Sequence, residues 1–297
     1  MNEFFQQLIN GCSLGAVYAL IALGYTMVYG VLRFINFAHS DVFMVGAFTG
    51  FYIAPYVPRS SFSGGLLILA AAMVACAILG VVIERLAYRP LRNSSKLNVL
   101  ITAIGVSLLL ENAGQQFFGA DPKPYPAVFP ARTFSIGQGF IVSSNQITVL
   151  IVAAVLLIAL QYIVQRTKIG TAMRAVSFNP VAASLVGINN DLVISFTFAL
   201  GSALAAAGGI LYAMNYPAID PLMGILPGLK AFVAAVLGGI GNIPGAALGG
   251  LIIGIIETFV NGSRFSTFTD AIAFAILILI LLFRPAGIMG KLQVEKV

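Results

Sequence analysis

Charge is what this chain has least of. Only 9% of its 297 residues are charged, 59% are hydrophobic, and the mean hydropathy is +0.99. A soluble fold of this size needs far more polar surface, so that class is excluded. Cysteine is nearly absent as well. Cys12 and Cys76 lie inside apolar segments with no metal-like spacing and no disulfide framework, which fits two buried, inert thiols. The single histidine, His39, excludes most histidine-rich metal sites. No G-x-x-x-x-G-K-S/T phosphate loop occurs, so the chain does not hydrolyse ATP by that route. No H-E-x-x-H and no nucleophile elbow in a strand–turn–helix context is present either. The formal net charge of +6 then reads as loop anchoring at a membrane rather than as a nucleic-acid footprint.

What the chain does have is apolar runs of membrane length. A spanning helix takes about 20 apolar residues, because each residue rises about 1.5 Å through a core about 30 Å thick. In hydrocarbon every backbone amide must be satisfied within its own segment, so the runs are helices. The fold expected is an all-α, polytopic transmembrane bundle of roughly eight to ten spans, as one domain over residues 1–297, with no room for a sizeable soluble unit. The segments are Phe5–Val31, Ile35–Val57, Gly65–Ile83, Leu97–Phe118, Ile147–Val164, Leu192–Asn215, Leu229–Ile240, Gly245–Val260 and Ala271–Phe283. The first, second and seventh are the weakest as simple rods. The first carries Gly11, Gly15, Gly24 and Gly30, the second opens on the polar run Asn36–Asp41, and the seventh is short and runs into Gly238–Gly245. Broken helices of this kind are tolerated where protein or a water-filled cavity surrounds them, and they often mark a substrate route in transporters. The N-terminus lacks the basic region of a cleavable signal, so the first segment is expected to be retained.

Lysine and arginine set the orientation. Arg85, Arg89, Arg92 and Lys96 share one loop, Arg166, Lys168 and Arg174 another, and Arg284, Lys291 and Lys296 the tail. The opposite loops hold only Arg59, Lys123, Arg132 and Arg264. The basic set is expected to face the cytoplasm, with the C-terminus on that side. Small residues recur four apart, as in Ala246, Gly250 and Gly254, in Gly245 and Gly249, and in Gly201, Ala205 and Gly209. They predict close helix packing, or a protomer interface. Glu84 is expected to pair with Arg85 and Arg89, while Glu111 and Glu257 are either packing or pathway groups. The proline-rich loop 119–145 is either a simple connector or a landing surface for a partner.

Two constellations carry the functional argument. Within the loop 166–191, Asn179 suits an N-cap, Pro180 the first helical position, and Gly187 the residue just past the end. Between them Ala182 and Ala183 sit in an apolar helix of about two turns with no charge. An apolar helix exposed to cytoplasm docks into a partner or rests on lipid or on the bundle. The second constellation is Asn36, His39 and Asp41. Ionisable groups at membrane depth cost about 2.5–3.5 kcal/mol on insertion scales, so they face a cavity or a partner. The trio either lines a route for a zwitterionic substrate or forms a structural cluster at a helix break.

A family resemblance accompanies these features. Gly170, Arg174-Ala175, Asn179, Ala182-Ala183 and Gly187-Ile188 resemble the cytoplasmic signature of permease subunits in ABC importers for branched-chain amino acids. Asn10-Gly11, Leu14-Gly15, Tyr18-Ala19-Leu20, Tyr29-Gly30 and Ile35–His39 are similar to the opening of the LivH-type subunits. Ile101–Ser107, Gly238–Ala246 and Arg284–Gly287 extend the likeness over nearly the whole chain. One departure is local: Ser40-Asp41 stands where the family commonly has Gly-Glu, which keeps the acid but shortens it.

The resemblance implies a permease subunit of an ATP-driven importer of leucine, isoleucine and valine in a bacterial inner membrane. It implies a homologous LivM-type permease, two cytoplasmic ATPases and an extracytoplasmic binding protein as partners, with no nucleic acid. No cofactor is expected on this chain, since ATP is used by the partner subunits, and no enzymatic activity of its own. Arg174, Ala175, Asn179, Pro180, Ala182, Ala183 and Gly187 then couple to the ATPase, and Asn36, His39 and Asp41 are the candidate pathway. Urea and short amides are alternative substrates within this class. An ion-coupled secondary transporter is the alternative outside it, disfavoured by an expected scarcity of deep acids.

Overall fold

The computed structural model describes residues 2–58, 61–92, 94–136 and 140–290, so Arg59, Lys291 and Lys296 lie outside the described residues. Among the described residues, seven helical stretches are long and apolar enough to cross a membrane. They contain α1 (Asn2–Leu32), α3 (Phe62–Ile83), α4 (Lys96–Phe118), α5 (Ser144–Arg166), α8 (Asn190–Asn215), α10 (Ile243–Asn261) and α11 (Thr269–Phe283). Two shorter helices, α2 (His39–Ile53) and α9 (Ile225–Gly238), have 15 and 14 residues. At 1.5 Å per residue each covers only about two-thirds of a hydrocarbon core. Helices α6 (Lys168–Phe178) and α7 (Pro180–Leu185) lie between α5 and α8. The all-α expectation holds. The expected breaks hold for the second and seventh segments but not for the first, which is one unbroken helix of 31 residues.

The glycines of α1 are contact points rather than breaks. A methyl group on Gly15 would lie 2.7 Å from the Leu251 Cα of α10, and one on Gly11 would lie equally close to the Ile255 Cα. Gly250 and Gly254 answer them from α10, against Ala19 and Gly15. Without a hydrophobic drive between helices in lipid, this backbone approach supplies the dispersion contacts that hold them together. The other small-residue lines are used the same way. Gly245 and Gly249 meet Gly238 and Ala234 of α9, and Gly209 meets Phe43 and Ala47 of α2. These lines are buried inside the chain, so they are not a free protomer interface.

Helix α1 runs from the sparsely charged end of the bundle to the basic end. There Arg33 donates to the Ser177 carbonyl of α6, and Ser177 to the Gly30 carbonyl. Glu84 is fully buried and pairs with Arg92, not with the expected Arg85 and Arg89. Arg92 also bonds Asp191 at the start of α8, as does Arg89. The opposite end is closed by two short antiparallel pairs that hydropathy does not register. Strand β1 (Lys123–Pro124) pairs with β4 (Ala218–Ile219), and β2 (Thr133–Ile136) with β3 (Phe140–Ser143). Cys76 is buried as expected, but Cys12 is only half-buried.

Candidate functional site

The two short helices meet. Residues 33–38 lead away from the end of α1, with Arg33 in the left-handed region at φ 57°, and α2 begins at His39. Helix α9 begins on the far side of Ser40: an added Cβ at Gly224 would meet the Ser40 backbone, and one at Gly228 the Ser40 side chain. The first turns of two oppositely directed half-helices therefore sit side by side. Neither has a side-chain N-cap bond, at Ala38 or at Gly224. Helices α4, α5, α6, α7, α8 and α10 are all capped by a Ser, Thr or Asn side chain. Backbone carbonyls take up most of the first-turn amides, His39 and Asp41 bonding Asn36 and Ala38 and Ile225 bonding Leu222, and Pro227 has none. What the junction presents is therefore two adjacent positive dipole ends, with Asp41 in the first turn of α2.

Asn36, His39 and Asp41 all reach this junction, and each is sealed, with exposures of 4%, 1% and 1%. Asn36 accepts from Tyr88 Oη at 2.6 Å, and Asp41 from Ser107 Oγ of α4 at 2.6 Å. The His39 ring packs on Tyr25, with centroids 4.9 Å apart, in the space left by Gly24. Its Nε2 has no hydrogen-bond partner among the described residues. His39 and Asp41 do not pair with each other among the described salt bridges and hydrogen bonds. None of the three lines either of the two principal cavities.

Those cavities lie elsewhere. One of about 430 Å³ is bounded by uncharged polar side chains, including Asn10, Gln146, Asn215 and Asn261, at the sparsely charged end. The other, of about 260 Å³, opens between Arg33, Arg174, Met173 and Ile243 at the basic end.

A buried charge cluster escaped the sequence argument. Lys230 of α9 contacts Glu257 Oε1 of α10 at 2.6 Å and Asp270 Oδ1 of α11 at 2.7 Å. Tyr18 of α1 donates to Glu257 Oε2 at 2.8 Å. With Asp41, Glu84 and Glu257 all buried, deep acids are not scarce. The usable signal was a lone lysine inside the apolar run 225–238, which has to find an acid.

At the basic end α7 has the geometry expected of it. Asn179 Oδ1 accepts from the amides of Val181 and Ala182 at 3.0 Å, Pro180 occupies the first position, and Gly187 has φ +87°. Ala183 is 3% exposed and turned inward. Phe178, Val181 and Leu185 stand 88%, 68% and 83% exposed, with Ala182 and Val186 beside them. Gly170 sits against the end of α5, and Arg174 bonds the Val164 carbonyl. The inherited signature thus divides into residues that seat α6 on α5 and residues that present α7. The Ala175 carbonyl accepts from the Asn179 amide at 3.0 Å, closing the last turn of α6 just before α7.

Comparison with known proteins shows the family. Residues 7–281 match the family model described as branched-chain amino acid transport system / permease component. The chain is 42% identical to the high-affinity branched-chain amino acid transport system permease protein BraD of Pseudomonas aeruginosa, over 99% of this chain and 98% of the relative. It is equally similar, with the same coverage, to the corresponding LivH protein of Escherichia coli. It is 32% identical to a probable branched-chain amino acid transport permease of Methanocaldococcus jannaschii, over 91% and 88%.

Proposed function

The chain belongs to the branched-chain amino acid transport permease family, and from that premise we propose that it forms half of the membrane pathway of an ATP-driven importer. Leucine, isoleucine and valine are its substrates. A homologous permease supplies the other half, two cytoplasmic ATPases the energy, and an extracytoplasmic protein the loaded substrate. The basic end, with the C-terminus, faces the cytoplasm, as the distribution of Lys and Arg favours.

The observation that carries this reading is α7. A six-residue helix, firmly capped, presents Val181 and Leu185 to solvent at the basic end, beside Phe178 at the end of α6. A monomer gains nothing from that exposure, whereas a groove in an ATPase does. Closure of the ATPases pushes α7. Because α6 is hydrogen-bonded to the end of α1, and Asn190 at the start of α8 donates to the Pro180 carbonyl of α7, the push reaches both long helices that flank the half-helices. The pathway then alternates between the two ends. The junction of α2 and α9 is where the route narrows, with the positive ends of two half-helices side by side. Asn36, His39 and Asp41 are reached by solute only when α2 parts from α4.

Substrate choice is tested by uptake of labelled leucine in cells carrying all the subunits. Excess isoleucine or valine is expected to suppress uptake, and excess urea or acetamide to leave it unchanged; the reverse pattern places the chain among amide permeases. The capping argument gives a second test. Asn179→Ala removes an N-cap bond of about 1 kcal/mol from a helix with few other bonds, so uptake is expected to fall several-fold at unchanged protein level. Asn179→Asp, which keeps the acceptor, is expected to restore it.

A further inference from the structure

Helix α4 is set apart among the spans by its surface. It is as exposed as α5 and nearly as exposed as α11, yet it is the least apolar of the seven. Between Val149 and Leu160, α5 carries no polar side chain, and neither does α11 from Ala271 to Phe283. Those two have the surface of a lipid-facing helix. Helix α4 carries Asn98, Thr102, Asn112 and Gln116, and with Gly105 they follow steps of four, three, seven and four residues. That spacing places them in one stripe along the helix, broken only by Leu109. The stripe lies away from the face that Val99, Ala103 and Gly114 bury.

The stripe is open. Asn98, Gly105, Asn112 and Gln116 are exposed, and an added Cβ at Gly105 meets nothing within 4 Å. Thr102 and Asn112 satisfy a donor each on their own helix, at Asn98 O and Leu108 O. The side chains of Asn98 and Gln116 have no hydrogen-bond partner among the described residues. From Asn98 to Gln116 the stripe rises about 27 Å, nearly the thickness of the hydrocarbon core. Asn98 and Gln116 lie in the first and last turns of α4, at the edges of the core, while Thr102 and Asn112 lie deeper. An exposed amide such as that of Asn112 is costly against lipid and at ease against water.

We infer that this stripe of α4 lines the aqueous route of the solute, facing the second permease across it, so that α4 forms a wall of the pathway in addition to the half-helix junction. The stripe bears no charge, so a zwitterion finds hydrogen bonds without a deep trap. Leu109, with Ile101 and Leu108 exposed beside it, offers an apolar step matched to an aliphatic side chain. The inference rests on the permease reading above and assigns residues that reading does not.

The test is cysteine accessibility in the complete importer. Asn98→Cys, Gly105→Cys, Asn112→Cys and Gln116→Cys are placed in a Cys12→Ser background, with the fully buried Cys76 retained. Ile151→Cys, Val155→Cys and Ile158→Cys on the exposed face of α5 are the controls. A charged methanethiosulfonate reagent is expected to modify the stripe about a hundredfold faster than the controls, because it does not enter hydrocarbon. Modification is expected to block leucine uptake, and excess leucine to slow modification. Reaction at the control rate, in a background that still takes up leucine, overturns the inference. Reaction with an apolar maleimide alone also overturns it, since that places the stripe in a dry interface. An unsubstituted importer with no leucine uptake overturns the permease reading itself, and the inference with it.

Discussion

Leu185→Glu is expected to abolish ATP-driven leucine uptake while leaving the amount of inserted protein unchanged. Leu185 is 83% exposed, so a glutamate there costs the permease itself little, as exposed substitutions generally do. Its cost appears only when α7 enters a groove, where the leucine would be buried and the glutamate is left unpaired. Anchor residues of this kind contribute about 2 kcal/mol or more to an interface, which is about a thirtyfold loss of affinity. The ATPases are therefore expected to be lost from the purified complex in parallel with uptake, and Leu185→Met to retain both. Ala182→Glu is an equivalent probe, but Ala183→Glu is not. Ala183 is buried within the permease, so a charge there unseats α7 before any partner is met. Normal uptake and normal ATPase retention in Leu185→Glu would show that α7 does not dock.

The second large effect is expected at Lys230. Lys230→Met leaves Glu257 buried with only the Tyr18 hydroxyl as partner, while Asp270, half-exposed, recovers water. Removing one member of a buried pair costs about 3–5 kcal/mol, because the remaining charge is uncompensated. The variant is expected to lose its monodisperse peak in mild detergent and to unfold at much lower temperature. Lys230→Met with Glu257→Gln should recover most of the loss, since the amide still accepts from Tyr18 and no charge is stranded. A single variant as stable as the parent would mean that the cluster is hydrated rather than buried.

What the sequence makes legible is what local chemistry decides. Helix α7 was readable residue by residue, because the Asn179 cap, Pro180 and the positive φ of Gly187 are consequences of neighbours in the chain. The short second and seventh segments were readable for the same reason, since polar residues and Gly238–Gly245 interrupt their apolar runs. The continuity of α1 was not. Its glycines look like weaknesses until α10 is placed against them, and contact between residues such as Gly15 and Leu251 leaves no local trace. The sealing of His39 was hidden likewise, because the space for its ring is made by Gly24, on another helix. The ion cluster joins Lys230, Glu257 and Asp270 from three helices, and only the isolated lysine hinted at it. The pathway is the hardest case, because its candidate residues lie at the half-helix junction and along α4, and nothing in the sequence ranks the two.

The central claim is that this chain moves solute only when partner ATPases drive it. It is tested by co-purifying the chain from its host, identifying the subunits that accompany it, and reconstituting the whole into vesicles with binding protein. Two phosphate-loop ATPases and a second hydrophobic permease are expected in the complex, with leucine accumulation that stops when ATP is withheld. Recovery of the chain alone, accumulating leucine in ATP-free vesicles under an ion gradient, would contradict the account and make it a secondary transporter.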